Sequence, residues 1–182
     1  VAEAEKVTEL DINATNAAGT KSLAGINYFR NLKTLKVSGL ESLDDTNLAA
    51  GNINLVSVDI SLEKGATSIV CNGIQSLTDF SLVVTGTAGT EVGPKRIEVN
   101  KCPKIESLTV KNCRTIVAVE VKDCTELTYL NLSGSFVKSW AGDEGNISYP
   151  SLSVGTCTKL IDPTKFIPAD NVTEIWATPA QI

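Results

Sequence analysis

Residues 97–132 read IEVNKCPKIESLTVKNCRTIVAVEVKDCTELTYLNL, and this stretch decides the fold. Set in rows of eleven it gives Ile97-Val99-Cys102-Ile105, Leu108-Val110-Cys113-Ile116, Val119-Val121-Cys124-Leu127 and Leu130-Leu132-Ser135. Ser135 is the only polar residue in those columns, although only 42% of the chain is hydrophobic. Chance would make more than half of the positions polar, so the register is a repeat. A short fixed period marks stacked-repeat architecture, and stacked repeats present long regular surfaces better suited to binding than to enclosing a substrate.

Within the unit L-x-V-x-x-C-x-x-I-x-x, the L-x-V part alternates as a half-buried strand must. The next two apolar residues follow at intervals of three, which suits a turning backbone. The same frame recovers Leu35-Val37-Leu40-Leu43, Val58-Ile60, Ile69-Cys71-Ile74-Leu77, Phe80-Leu82 and Leu152-Val154-Cys157-Leu160, with weaker ends at Leu10-Ile12 and Ile175-Ala177. At roughly 3.3 Å per residue, eleven residues cannot close a coil around facing side chains. Eleven is therefore half a coil and about 22 the whole. This predicts a mainly β solenoid of about eight coils with parallel strands, a single domain over 1–182. Strands beginning at Leu10, Leu35, Val58, Phe80, Leu108, Leu130, Leu152 and Ile175 are expected on one side. Ile69, Ile97 and Val119 build the other, with less regular passages near Leu23, Leu48, Ala141 and Phe166. Residues 85–94 read as an inserted loop, and 134–150 as a half coil that has lost its pattern.

The chain carries 16 Lys+Arg against 21 Asp+Glu, a net charge of -5, which argues against a nucleic-acid partner because phosphate binding needs a clustered basic field. No apolar run approaches eighteen residues, so no membrane insertion is expected. The sequence opens at Val1 without an apolar leader, and the expectation is a secreted or cell-surface protein whose leader has been removed. Cys71, Cys102, Cys113, Cys124 and Cys157 occupy slots that other repeats fill with Leu, Ile or Ser. Free cysteine behaves as a small buried hydrophobe, so unpaired core thiols are expected rather than disulfides. Cys102 and Cys124 should share one edge, with Cys113 and Cys157 on the other.

Residues 22–43, SLAGINYFRNLKTLKVSGLESL, resemble an internalin-type leucine-rich repeat: Leu23, Gly25, Ile26, Phe29, Leu32, Leu35 and Val37 fall on the family positions. The later half, with its C-x-x-L-x-x-L-x-V-x-x-C pattern, is similar to secreted leucine-rich-repeat proteins of gut-dwelling bacteria. The resemblance implies adhesion or protein recognition, with a ligand that varies from member to member. The chain departs from the family where an asparagine is expected: that position holds Gly39 or Leu40 in one repeat and Cys in several others.

With no histidine in the chain, the commonest general base and metal ligand is missing, and Ser-His-Asp or Cys-His pairs cannot be assembled. Phosphate-loop, dinucleotide and calcium-loop motifs are also lacking. No cofactor and no metal site is therefore expected. Carboxylates remain: Glu9, Asp11, Asp59, Asp79 and Glu174 in outward slots of the regular side, and Glu98 and Glu120 on the other, 22 apart and thus on adjacent coils. Two carboxyls at that spacing suit a glycosidase, but a solvated acidic face is the favoured account of them, and no cleft is indicated. Tyr129 and Trp176 fall in outward slots, where an aromatic serves as a recognition anchor or, for Trp176, as a cap. The reading is a non-catalytic recognition or adhesion domain, not an enzyme, binding a protein or glycan along the strand face. Its candidate contacts are Asp59, Asp79, Tyr129, Asn131 and Trp176. The alternatives are a carbohydrate-active β-solenoid enzyme and a structural spacer of a larger surface protein.

Overall fold

The computed structural model describes residues 3–44, 46–48, 54–86, 93–116, 118–136, 151–153, 157–170 and 174–176. Its strands are β1 (Glu9–Asn13), β2 (Thr34–Leu43), β3 (Thr46–Asn47), β4 (Ser57–Ala66), β5 (Ser68–Asn72), β6 (Asp79–Val84) and β7 (Arg96–Asn100). They continue with β8 (Ser107–Lys111), β9 (Ala118–Lys122), β10 (Tyr129–Asn131), β11 (Ser151–Ser153), β12 (Phe166–Ile167) and β13 (Glu174–Trp176). One sheet runs β1-β2-β4-β6-β8-β10-β12 and the other β13-β11-β9-β7-β5-β3. From β3 onward, successive strands alternate between the sheets. Every pairing is parallel. This mainly parallel arrangement of two open sheets is compatible with a solenoid.

The alternating apolar residues explain why these segments pair. Leu35, Val58, Phe80, Leu108 and Leu130 are in register across the first sheet. Ile69, Ile97 and Val119 align across the second. All of them are buried in the core between the sheets. Burying such side chains contributes roughly 1.5–3 kcal/mol each, which fixes the register, because a one-residue slip would turn the whole row outward.

Six bends along the chain follow one rule that the apolar pattern does not announce. Two positions past the second inward residue, the backbone enters the left-handed region at Gly39 (φ 64), Gly73 (φ 74), Lys101 (φ 56), Asn112 (φ 60), Asp123 (φ 55) and Gly134 (φ 69). That bend sends the next residue inward: Leu40, Ile74, Cys102, Cys113, Cys124 and Ser135 are all buried. Gly, Asn and Asp tolerate this conformation best, and five of the six are of those types. Ahead of the second strand, Asn13 ends β1 and caps the short helix α1 (Ala14–Ala17). Its side chain accepts from Thr15 N at 2.9 Å and Asn16 N at 3.2 Å, while Asn16 Oδ1 accepts from Asn13 N at 2.8 Å.

The inward thiols are donors as well as fillers. Cys102 Sγ donates to Cys71 O (3.3 Å), Cys124 Sγ to Val99 O (3.4 Å) and Cys157 Sγ to Val121 O (3.7 Å). Cys71, Val99 and Val121 are register partners, so three bonds of one kind run up one edge. On the other edge Ser135 Oγ donates to Val110 O at 3.1 Å and accepts from Cys113 N at 3.0 Å. Cys157 therefore belongs with Cys102 and Cys124, not with Cys113 as the spacing suggested.

The same correction moves the last strands. Leu152 and Ile175 lie on β11 and β13 of the second sheet, whereas Phe166 lies on β12 of the first. Counting residues assumed that 134–150 would supply the second-sheet passage after β10. Instead β11 takes that place beside β9, through Ser153 against Glu120, and each later strand changes sides. Residues 87–92 of the expected inserted loop, 137–150 of the irregular half coil and Ala141 within it lie outside the described residues.

Candidate recognition surface

The outward side of the first sheet is built from the residues between the buried rows. Glu9, Thr34, Ser57, Asp79, Ser107 and Tyr129 form one cross-strand row, and Asp11, Lys36, Asp59, Ser81, Thr109 and Asn131 the next. Asp59 and Asp79 are exposed, and Tyr129 is half-buried. With strands about 4.8 Å apart, Tyr129 stands two steps or about 10 Å from Asp79, and Asn131 three steps or about 14 Å from Asp59. Asp79 Oδ2 accepts from Thr78 Oγ1 at 2.7 Å. These four residues share one face, as the alternation predicts.

Two of the five candidates have other positions or roles. Asn131 is only 8% exposed. Its Nδ2 donates to Tyr129 Oη at 2.8 Å and its Oδ1 accepts from Ser133 N at 3.0 Å. It is a support that fixes the phenol from behind, not a free contact. Trp176 sits on β13 of the second sheet, which separates it from the other four. The sequence misled there because the phase reverses after β10. Tyr129 and Asn131 are an i, i+2 pair on one strand face, a spacing that the sequence shows although the bond between them it does not.

The second sheet carries the other carboxylates. Glu98 and Glu120 are direct register partners on β7 and β9, as their spacing of 22 implies. Glu98 is committed: Oε1 accepts from Asn72 Nδ2 (2.9 Å) and Asn100 Nδ2 (3.3 Å), and Oε2 faces Arg96 at 2.8 Å. Asn72 and Asn100 were not singled out by sequence, yet their register pairing places both amides beside this carboxylate.

Two concavities lie away from Asp79 and Tyr129. A cleft of about 270 Å³ is lined by residues including Lys64, Thr67, Lys95 and Thr115. An apolar recess of about 280 Å³ opens among Leu10, Ile12, Leu23, Ile26 and Phe29 beside the edge strand β1. Among the described residues, no group of three or more His, Cys, Asp or Glu is placed to hold a metal ion, and no helix is long and apolar enough to cross a membrane. Hydrogen bonding with Cys102 and burial hold the Cys71 thiol well above its ordinary value. Burial pushes Cys113 up to about 12, against a hydrogen bond with Ser135. Hydrogen bonding with Cys157 and burial likewise raise Cys124.

The fold and this face are the features from which kinship could be argued. A scan against protein-family models gives no match, and a search of curated proteins gives no matching relative.

Proposed function

We propose that the chain is a non-catalytic recognition domain, a leucine-rich-repeat-type solenoid working outside the cell or on its surface, which binds a protein or glycan along the first sheet. The observation that carries this reading is Tyr129, an aromatic ring presented on an open parallel sheet and fixed by the amide of Asn131. A side chain held in place before binding loses little freedom on association, and Tyr is enriched among residues that dominate interface energy. Exposed Asp59 and Asp79 and the hydroxyls of Ser81, Ser107 and Thr109 supply polar partners around it. The engagement of both Glu98 oxygens supports the non-catalytic part, since a general acid or nucleophile needs an oxygen directed at substrate.

The test is a binding screen of the purified chain against extracellular proteins and a glycan array, repeated with Tyr129→Ala. The variant is expected to lose more than about 1 kcal/mol of affinity with an unchanged melting temperature. Binding that survives this substitution, or glycan cleavage lost in a Glu98→Gln/Glu120→Gln double variant, would overturn the proposal.

A further inference from the structure

The inward row of the first sheet is complete only in its middle. Its five inner members, from Leu35 to Leu130, are at most 1% exposed, whereas the end members Leu10 on β1 and Phe166 on β12 are half-buried. β1 and β12 each pair on one side only. An unpaired edge strand is a template for another strand, and the peptide groups show which one fits. Thr34 N donates to Thr8 O, Leu130 N to Lys165 O and Leu132 N to Ile167 O. In a parallel ladder alternate residues bond to opposite sides. Glu9 and Asp11 therefore turn their peptide groups to the open edge of β1, and Phe166 turns its own to that of β12. Asn16 covers part of the first edge: its Nδ2 donates to Asp11 O at 2.9 Å, and its Oδ1 accepts from Asn13 N at 2.8 Å. Glu9 O, Asp11 N and the N–H and C=O of Phe166 are left without a partner among the described residues.

We infer that β12 of one copy of this chain docks on β1 of the next, head to tail, in the register of the existing ladder. Phe166 N donates to Glu9 O of the next copy, and Asp11 N of that copy donates back to Phe166 O. The following acceptor on β1, Asp11 O, faces Pro168, which has no N–H to give. It is the acceptor that Asn16 already satisfies. Phe166 and Leu10 then cover each other as inner members of one row. Charge agrees with this order. Lys165 stands in the row that begins with Glu9, so an exposed ammonium of one copy meets an exposed carboxylate of the next. The carboxylates near β12 are engaged, Asp162 by Thr164 Oγ1 at 2.7 Å and Asp170 by Gly134 N at 3.0 Å. A contact of β1 with β1 would instead set two acidic strands side by side. The apolar recess among Leu10, Leu23 and Phe29 opens beside β1, and the exposed Tyr28 ring lies against Gly25 of its lining. The contact joins two different surfaces and leaves one of each unused, so copies add to an open row rather than close into a dimer.

The test is sedimentation of the purified chain from about 1 μM to about 1 mM, the range of weak to moderate affinities. The mean mass is expected to climb steadily past that of two chains. Glu9→Lys and Lys165→Glu should each weaken association by about fivefold or more, since each turns an attraction into a repulsion. Their melting temperatures should not change, because both side chains are exposed. An equal mixture of the two variants, and the double variant, should each recover the parent's behaviour, because opposite charges again meet across the contact. A chain that stays monomeric throughout would overturn the inference and leave the ends to a different partner or to further coils. So would a mass that stops at two chains, or a mixture that fails to associate. Loss of association in Glu9→Lys with no effect of Lys165→Glu would also overturn it, by placing β1 against β1.

Discussion

Lys101 is the one long, charged side chain among six residues that share a left-handed turn position. For an L-residue this conformation costs roughly 1–2 kcal/mol, and the equivalent positions hold Gly, Asn or Asp. Lys101→Gly is expected to stabilise the chain by about 1 kcal/mol, seen as a higher urea midpoint with an unchanged slope. Cys113 gives the residue scale a pH signature. Its folded value of about 12 stands above the ordinary 9.0. The stabilisation from keeping it neutral is therefore whole below pH 9 and is lost as pH rises towards 12, because only the unfolded chain ionises in that window. Cys113→Ser, which puts a hydroxyl where Ser135 already serves in an equivalent slot, should flatten the fall of stability between pH 9 and 11. An unchanged slope in pH-resolved denaturation would mean the thiol does not contribute. The inward column was readable from the eleven-residue period, but the donor role of its thiols was not. A pattern of apolar slots records which side chains go inside and says nothing of the carbonyls they meet there.

On the scale of single strands, the phase reading can be challenged directly. Val110 is fully buried on β8, and its neighbour Thr109 faces outward, partly exposed. Val110→Asp buries a charge without a partner and is expected to cost several kcal/mol or abolish folding. Thr109→Ala should change stability by less than about 0.5 kcal/mol. Equal losses in chemical denaturation would refute the assigned faces. Alternation made β2 and β4 to β10 legible, since Leu, Val, Ile, Phe and Cys recur at every second position there. It failed after Ser135, where the 134–150 stretch offers no alternating run, so a count of residues had to stand in for a pattern. β12, with only Phe166 and Ile167, was expected as a passage near Phe166 on the other sheet, because two residues carry no alternation to fix the side. Glycine spacing also hid a packing constraint. A Cβ on Gly65 would lie 2.6 Å from Gly93 Cα, so the backbones of two successive passages touch where the sequence shows only scattered glycines.

For the whole molecule, the face bearing Asp59, Asp79 and Tyr129 was legible because the first sheet keeps a strict register from β4 to β10. Asn131's burial and Trp176's displacement were not, since one depends on a side-chain bond and the other on a change of phase far along the chain. The same register sets how the molecule meets load. Each strand is bonded only to the strands beside it in its own sheet, so tension applied at the two ends falls on one rung at a time rather than on the whole ladder. Pulled in an optical trap, the chain is expected to peel in successive force peaks. Each step would release about 22 residues, roughly 75 Å of contour at about 3.4 Å per residue. A single rupture freeing the full length at once would show that the strands yield together. A stack that peels in this way acts as a tether that lengthens under shear, yielding at its ends while its middle keeps its shape.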